Sequence, residues 1–241
     1  MTSGPRTLVI VPTYNERHNL PTLVEGLMRL DSVSVLVVDD GSPDDTGGVA
    51  DDLARTYAGR IDVMHRAGPR GLGRSYIDGI RWATSQSAEV YGAVCQMDAD
   101  LSHDPARVPA LAAALATADV ALGSRYVDGG TIVNWPLRRR ILSRFANSYI
   151  RAVTRLRVRD CTTGFRCWRR EALASLPLDR FNSEGYAFLV EMLYAATALR
   201  QTIAEVPIAF VERREDESKL TLAVLFESAI APWRLIGRRG Q

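Results

Sequence analysis

Gln96-Met97-Asp98-Ala99-Asp100 directly follows the apolar run Val90-Tyr91-Gly92-Ala93-Val94-Cys95. A strand ending in Asp-x-Asp puts two carboxylates at the carboxyl edge of a sheet, where ligands of open α/β folds bind. Adjacent carboxylates repel unless a cation lies between them. Mg2+ and Mn2+ take one or two carboxylates together with substrate phosphates. Asp98 and Asp100 are therefore candidate metal ligands of a metal–diphosphate site. For so short a motif, a solvated turn is the competing reading.

The surrounding elements favour the site. Thr7-Leu8-Val9-Ile10-Val11 is a β-branched run suited to a buried parallel strand. It is expected to stop at Pro12-Thr13-Tyr14-Asn15-Glu16, where proline ends regular pairing. A second run, Val33 to Val38, leads into Asp39-Asp40-Gly41-Ser42-Pro43-Asp44-Asp45-Thr46, a turn rich in acids and turn formers. Three strands ending in acid-bearing loops at βαβ spacing make a nucleotide-binding layout. The first strand opens no Gly-x-Gly-x-x-Gly turn, so a dinucleotide fold does not fit. Gly68-Pro69-Arg70-Gly71-Leu72-Gly73 lacks the Lys-Ser/Thr ending of a P-loop. It reads either as a flexible loop before a helix over Ser75 to Ala83 or as a phosphate contact.

Val11-Pro12-Thr13-Tyr14-Asn15-Glu16, Val38-Asp39-Asp40-Gly41-Ser42, Gly71-Leu72-Gly73, Met97 to His103 and Gly123-Ser124-Arg125-Tyr126 resemble the inverting family 2 glycosyltransferases of GT-A fold. Asn134-Trp135-Pro136, Thr163-Gly164-Phe165-Arg166, Gly185-Tyr186-Ala187-Phe188, Glu205-Val206-Pro207-Ile208 and Glu217-Ser218-Lys219-Leu220 narrow the resemblance to the polyprenyl-phosphate (dolichyl-phosphate) mannose synthases. The blocks run in order from Leu8 to Leu220. The resemblance implies one α/β domain over residues 1–241, with a mostly parallel sheet flanked by helices. A nucleotide-sugar half would span about 1–125, and an acceptor half with amphipathic helices about 126–241.

It also implies transfer of mannose from GDP-mannose to a polyprenyl monophosphate with inversion, aided by Mg2+ or Mn2+. By resemblance, Pro12, Tyr14, Glu16, Val38, Asp40, Asp98, Ala99, Asp100, Arg213 and Lys219 bind the donor nucleotide. Arg125 and Arg139 hold the acceptor phosphate, and Ser102 joins Asp98 and Asp100 around the metal or caps the turn. His103 has the same two readings. Asp160 and Cys161 are expected to shape the sugar pocket. The chain departs from the family at Asp216, where a glycine is expected before Ser218-Lys219. A phosphate acceptor is already largely ionised at neutral pH, with a second pKa near ~6. No strong base is then required, and none of the chain's histidines announces itself as one. Rival readings are a UDP-sugar donor, a hydroxylated acceptor that would need a base, and a binding module without catalysis.

Charge is distributed unevenly. Nine arginines (125, 138, 139, 140, 144, 151, 155, 157 and 159) face a single acid, Asp128, between residues 125 and 159. Such a stretch suits phosphate or a membrane surface, and nucleic acid is the weaker candidate because no recognised nucleic-acid-binding module appears. Arginine supplies 29 of the 30 basic residues, which makes Lys219 the single compact ammonium. Arg213 and Lys219 are expected to close over the donor diphosphate. After Pro136 a long helix is expected, with Leu137, Ile141, Phe145, Tyr149 and Val153 every four residues. Its stripe either packs inward or meets lipid. A second stripe runs over Leu222, Leu225, Phe226, Ala229, Ile230, Trp233 and Ile236, with a kink expected at Pro232. No run approaches the ~20 apolar residues of a membrane span, and no signal peptide is read. The expectation is peripheral attachment at the cytoplasmic side of a membrane, directly or through a membrane-anchoring partner. Three cysteines without Cys-x-x-Cys spacing fit a reducing setting.

Overall fold

The β-branched runs form the centre of the sheet. The structure is a computed structural model that describes residues 6–181, 183, 185–211, 230 and 232–237. Its strands are β1 (Arg6–Thr13), β2 (Val33–Asp39), β3 (Ile61–His65), β4 (Tyr91–Gln96), β5 (Val120–Ser124), β6 (Thr131–Val133), β7 (Arg166–Arg169), β8 (Ile203–Pro207) and β9 (Ala209–Val211). The helices are α1 (Leu20–Met28), α2 (Thr46–Thr56), α3 (Leu72–Ser85), α4 (Val108–Ala114), α5 (Leu137–Thr154), α6 (Arg170–Ala174) and α7 (Gly185–Ala198).

The main sheet has the order β3-β2-β1-β4-β7-β5-β8, while β6 and β9 pair separately. Among the described strands of this sheet only β7 runs antiparallel to its neighbours, so the expected mostly parallel α/β sheet is present. Successive strand residues serve opposite faces. Leu8, Ile10, Leu36 and Val38 pack with Tyr76 and Ile80 of α3 and Phe188 of α7. Val9, Val11, Val35 and Val37 pack with Leu20 and Leu23 of α1 and Val108 and Leu111 of α4. Helices thus cover both faces, which is why these strands read as continuous apolar runs.

The strand order reverses between β1 and β4, making a crevice at the carboxyl edge. Because β7 alone is antiparallel, its beginning reaches that same edge. Pro12 corrects one expectation: it lies inside β1, paired with Val38, and pairing continues through Thr13 and Asp39. The missing N–H costs no ladder bond, since β4 is paired with β1 only as far as Ile10. The helix expected at Ser75 begins at Leu72.

Helix α5 resolves the choice between inward and outward stripes by splitting it. Ile150 and Asn147 are buried near its end, whereas Leu137, Ile141 and Phe145 are 60–71 % exposed. Arg138, Arg140 and Arg144 stand among them, also exposed. Of the second stripe, Ile230, Trp233 and Ile236 fall within the described residues. The Trp233 indole N–H donates to the Tyr149 hydroxyl at 2.7 Å, which ties the segment to α5. Leu222, Leu225, Phe226 and Ala229 lie outside the described residues.

Candidate active site

The topology brings the acid pair and Thr163-Gly164-Phe165-Arg166 together. Asp98 follows β4 and accepts a hydrogen bond from the hydroxyl of Tyr76, 3.3 Å away on α3. Burial, followed by the neighbouring Asp100 charge, pushes the Asp98 carboxyl up to about 7. The positive charge of Arg166 opposes that rise. Arg166 is wholly buried and spends its guanidinium on the carbonyls of Thr163 (2.8 Å), Leu189 (2.5 Å) and Cys161 (2.9 Å). Its bonded role is to pin the entry of β7.

That entry presents Gly164 to Asp98. A Cβ on Gly164 would stand 2.7 Å from Asp98 Oδ2 and 3.1 Å from Oδ1. Gly164→Ala is expected to fold but to lower turnover roughly tenfold to a hundredfold by displacing that carboxylate. Steady-state rates beside a melting curve test this; wild-type turnover would show that the close approach does not matter.

Asp100 is aimed by a tight turn. Leu101 takes φ of 61°, a costly conformation for a bulky residue, and Ser102 then folds back. Ser102 donates to Asp100 Oδ1 from its main-chain N–H (3.1 Å) and its hydroxyl (2.6 Å). The turn-capping role of Ser102 is thereby present in the fold. His103 is buried between Phe165, stacked at 5.1 Å, and Phe210, edge-on at 5.5 Å. Burial holds its imidazole down to about 4, so it is neutral at ordinary pH.

Asp98 and Asp100 offer hard oxygen donors, and the part of the upward push on Asp98 that comes from the Asp100 charge, after that from burial, is one a shared cation would relieve. This donor set fits Mg2+ or Mn2+ completed by ligand oxygens. Among the described residues no group of three or more His, Cys, Asp or Glu side chains converges.

On the β1–β2 side the structure divides the two acids after β2. Asp39 accepts from Thr13 Oγ1 (3.1 Å), Ser42 Oγ (2.6 Å) and the Ser42 N–H (3.2 Å), closing its own loop. Asp40 pairs with Arg66 and accepts from the Gly71 N–H at 2.7 Å. The Gly71 amide of the glycine-rich loop is therefore spent on a carboxylate. Tyr14 carries the Arg70 guanidinium over its ring at 4.8 Å and is hydrogen-bonded to it. Glu16 accepts from Asn19 at 2.8 Å, and its charge adds to the rise at Asp98. Val38 and Ala99 are core residues, so any contact they make with a ligand is through the main chain.

Arg125 follows β5 at the same edge. Asp160, fully buried, accepts from Arg125 Nε (2.7 Å), Nη2 (2.7 Å) and the main-chain N–H (3.1 Å). The Asp160 carboxylate is thus engaged as the bidentate partner of Arg125. Glu205 of β8 in turn accepts from the N–H groups of Arg159 (2.8 Å) and Asp160 (3.0 Å). Asn147 of α5 holds the Cys161 N–H at 2.7 Å. Cys161 is buried, with its thiol pushed up to about 12 by burial. Arg139, in the first turn of α5, lies 4.3 Å from the centre of the Trp135 ring, and Arg125 lies 5.5 Å from it.

The expected donor-closing pair, Arg213 and Lys219, lies outside the described residues. The sequence does not distinguish Tyr76, which on the α3 stripe looks like any core aromatic. Gly164 carried a faint signal as part of its motif.

A family model described as glycosyl transferase family 2 matches residues 8–176. The chain is 44% identical over 237 residues to a polyprenol monophosphomannose synthase of Mycolicibacterium smegmatis, covering 97% of this chain and 88% of that one. It is 42% identical over 238 residues to an undecaprenyl-phosphate mannosyltransferase of Micrococcus luteus, covering 97% and 96%. The glucosyl-3-phosphoglycerate synthase of Mycobacterium tuberculosis, solved with Mn2+, UDP and glucosyl-3-phosphoglycerate, superposes with a TM-score of 0.69 at 22% identity, over 98% of this chain and 81% of that one. A mannosyltransferase of Pyrobaculum calidifontis in complex with GDP-Man and Mn2+ superposes with a TM-score of 0.59 at 18% identity, over 98% and 73%. With the sheet, the acid pair and near full-length relatives in agreement, the chain belongs to glycosyl transferase family 2 and is a glycosyltransferase of GT-A fold.

Proposed function

We propose that this enzyme transfers mannose from GDP-mannose to a polyprenyl monophosphate with inversion, giving polyprenyl-phosphate mannose and GDP. The observation that carries the reading is the convergence of Arg125 and Arg139 on Trp135, at the sheet edge that bears the acid pair. Two cations beside a diphosphate-type site suit an acceptor that is itself an anion. The names of the two relatives above point to the same acceptor class and the same sugar.

A phosphate oxygen of the acceptor attacks the anomeric carbon from the face opposite the diphosphate. The new C–O bond forms as the bond to the β-phosphate oxygen breaks, and GDP leaves with the electron pair. The acceptor's second pKa near ~6 makes it nucleophilic without a base. His103, neutral, stacked on Phe165 and met edge-on by Phe210, is not needed as one. Arg125 and Arg139 offset the repulsion between the two anions and hold the nucleophile in line. A divalent cation held by Asp98 and Asp100, with Ser102 orienting Asp100, would supply charge stabilisation to the leaving diphosphate. Pro12, Tyr14, Glu16 and Asp40, with Val38 and Ala99 through the main chain, make up the donor side. Arg213 and Lys219 remain the proposed donor-closing residues.

Among the described residues no helix is long and apolar enough to cross a membrane. The exposed Leu137, Ile141 and Phe145, flanked by arginines, make the outer half of α5 the surface we propose for contact with an anionic bilayer. Its location on the cytoplasmic side, with or without an anchoring partner, belongs to the same proposal. Replacing the three residues by serine is expected to weaken sedimentation with phosphatidylglycerol vesicles roughly tenfold or more. Transfer to a short water-soluble polyprenyl phosphate should stay within about twofold. Unchanged sedimentation would remove α5 from the contact.

Incorporation of radiolabel from GDP-mannose into an organic-extractable product, with polyprenyl phosphate and Mg2+ or Mn2+, tests the reaction. Metal-dependent, EDTA-sensitive label in the lipid phase is the expected result. Label from UDP-sugars alone, or in a water-soluble product alone, would overturn the donor or the acceptor.

A further inference from the structure

Trp135 is nine-tenths buried, yet among the described residues its indole N–H has no hydrogen-bond partner. A buried donor left unpaired carries its full desolvation cost, so such groups are rare and ask for a cause. The position is held firmly. Asn134, at φ 65°, turns the chain out of β6, and Pro136 leads directly into α5. The ring packs edge-on against Phe210 at 5.3 Å.

Two guanidinium groups share this one ring, Arg139 at 4.3 Å and Arg125 at 5.5 Å. An aromatic face attracts each cation, and Asp160 fixes the Arg125 guanidinium in place. A phenylalanine would provide a face of that kind without an orphaned donor. What tryptophan adds is a wider ring and one directional N–H. An anion seated by the two arginines would give that N–H an acceptor.

We propose that Trp135 is a ligand residue of the acceptor-phosphate site, donating its indole N–H to a phosphate oxygen held by Arg125 and Arg139. The inference rests on the acceptor reading above and adds a neutral donor to it. Arginines neutralise charge; the indole would fix the direction from which one oxygen is held. Hydrogen bonds to charged acceptors are stronger than neutral ones, so the contribution should be measurable.

Trp135→Phe separates this role from packing, because it keeps an aromatic ring and removes the donor. Farnesyl phosphate binding, measured by calorimetry, is expected to weaken roughly tenfold to a hundredfold. The acceptor KM should rise by a similar factor, with the donor KM within about twofold. The melting temperature should hold or rise, since an unpaired buried donor has been removed. Wild-type affinity and acceptor KM in the variant would overturn the inference and leave the acceptor reading standing. In the wild-type protein, one of the four tryptophan indole N–H resonances should move downfield as farnesyl phosphate is added. No such movement at saturation would overturn the inference without recourse to the variant. If the wild type binds neither farnesyl phosphate nor inorganic phosphate, the acceptor reading falls and the inference falls with it.

Discussion

Asp98→Asn is expected to produce a protein more stable than the wild type in EDTA at pH 8, and nearly inactive. The sign follows from the carboxyl's position at about 7, well above the usual carboxylate value of 3.8. A carboxyl raised by folding contributes a penalty that is fully present above its folded pKa. The penalty shrinks as pH falls below about 7 and is gone below the unfolded value. Removing the charge should therefore raise stability by about 2–4 kcal/mol at pH 8, discounted for the coupling to Asp100, and by little at pH 4. Turnover should fall by roughly three orders of magnitude, because the site loses half of its acid pair. Mg2+ or Mn2+ should raise the melting temperature of the wild type and leave the variant unmoved. A variant less stable than the wild type at pH 8 would mean that the Tyr76 hydrogen bond outweighs the cost of burying the charge and its repulsion by Asp100. A variant still protected by metal would show that the cation binds elsewhere.

Asp160→Asn should have the opposite effect on stability. Asp160 is fully buried and forms two 2.7 Å bonds with the guanidinium of Arg125, itself 8% exposed. Neutralising one member leaves a buried cation without its partner, a change that costs about 3–5 kcal/mol in comparable pairs. The amide also turns an NH2 group towards a donor-only guanidinium, or else rotates and loses one of the two bonds. Urea unfolding should show the loss, and transfer should fall because Arg125 no longer has a fixed direction. The double variant with Arg125→Met should recover much of the stability and none of the activity. Full additivity of the two stability losses would sink the claim that they act as one unit.

The value of this pair lies in what it does to Arg125. A mobile arginine could meet phosphate in many poses. Here the side chain is braced by Asp160, Asp160 is set by Glu205, and the adjacent Cys161 amide is set by Asn147. One residue of β8 and one of α5 thus reach the proposed acceptor site through the short loop at residues 159–162. Rigid placement of this kind is what lets a charged group assist a transfer without reorganising.

Local pattern alone specified the parallel strands, because both of their faces are buried and the apolar run is continuous, as Val33 to Val38 shows. It also specified the acid pair, since two carboxylates after such a run stand at the ligand-binding edge of any open α/β sheet. The start of α5 after Pro136 was legible for the same reason: proline ends one element and the four-residue period opens the next. Tertiary structure decided the rest. Nothing in the sequence near Pro12 says that β4 diverges after Ile10, leaving room for a strand residue without an N–H. Nothing near Gly164 says that β7 runs antiparallel and so delivers that glycine to Asp98. The outer half of α5 and its inner half share one apolar period, and only packing separates the face left to solvent from the face in the core. Asp160 and Arg125 stand far apart in the chain, and their bond exists because β5 ends where the loop after α5 returns. Periodicity and strand-end chemistry are local properties, written in consecutive residues. Pairing between distant side chains depends on how the sheet orders its strands, and that order is settled only when the whole core is packed.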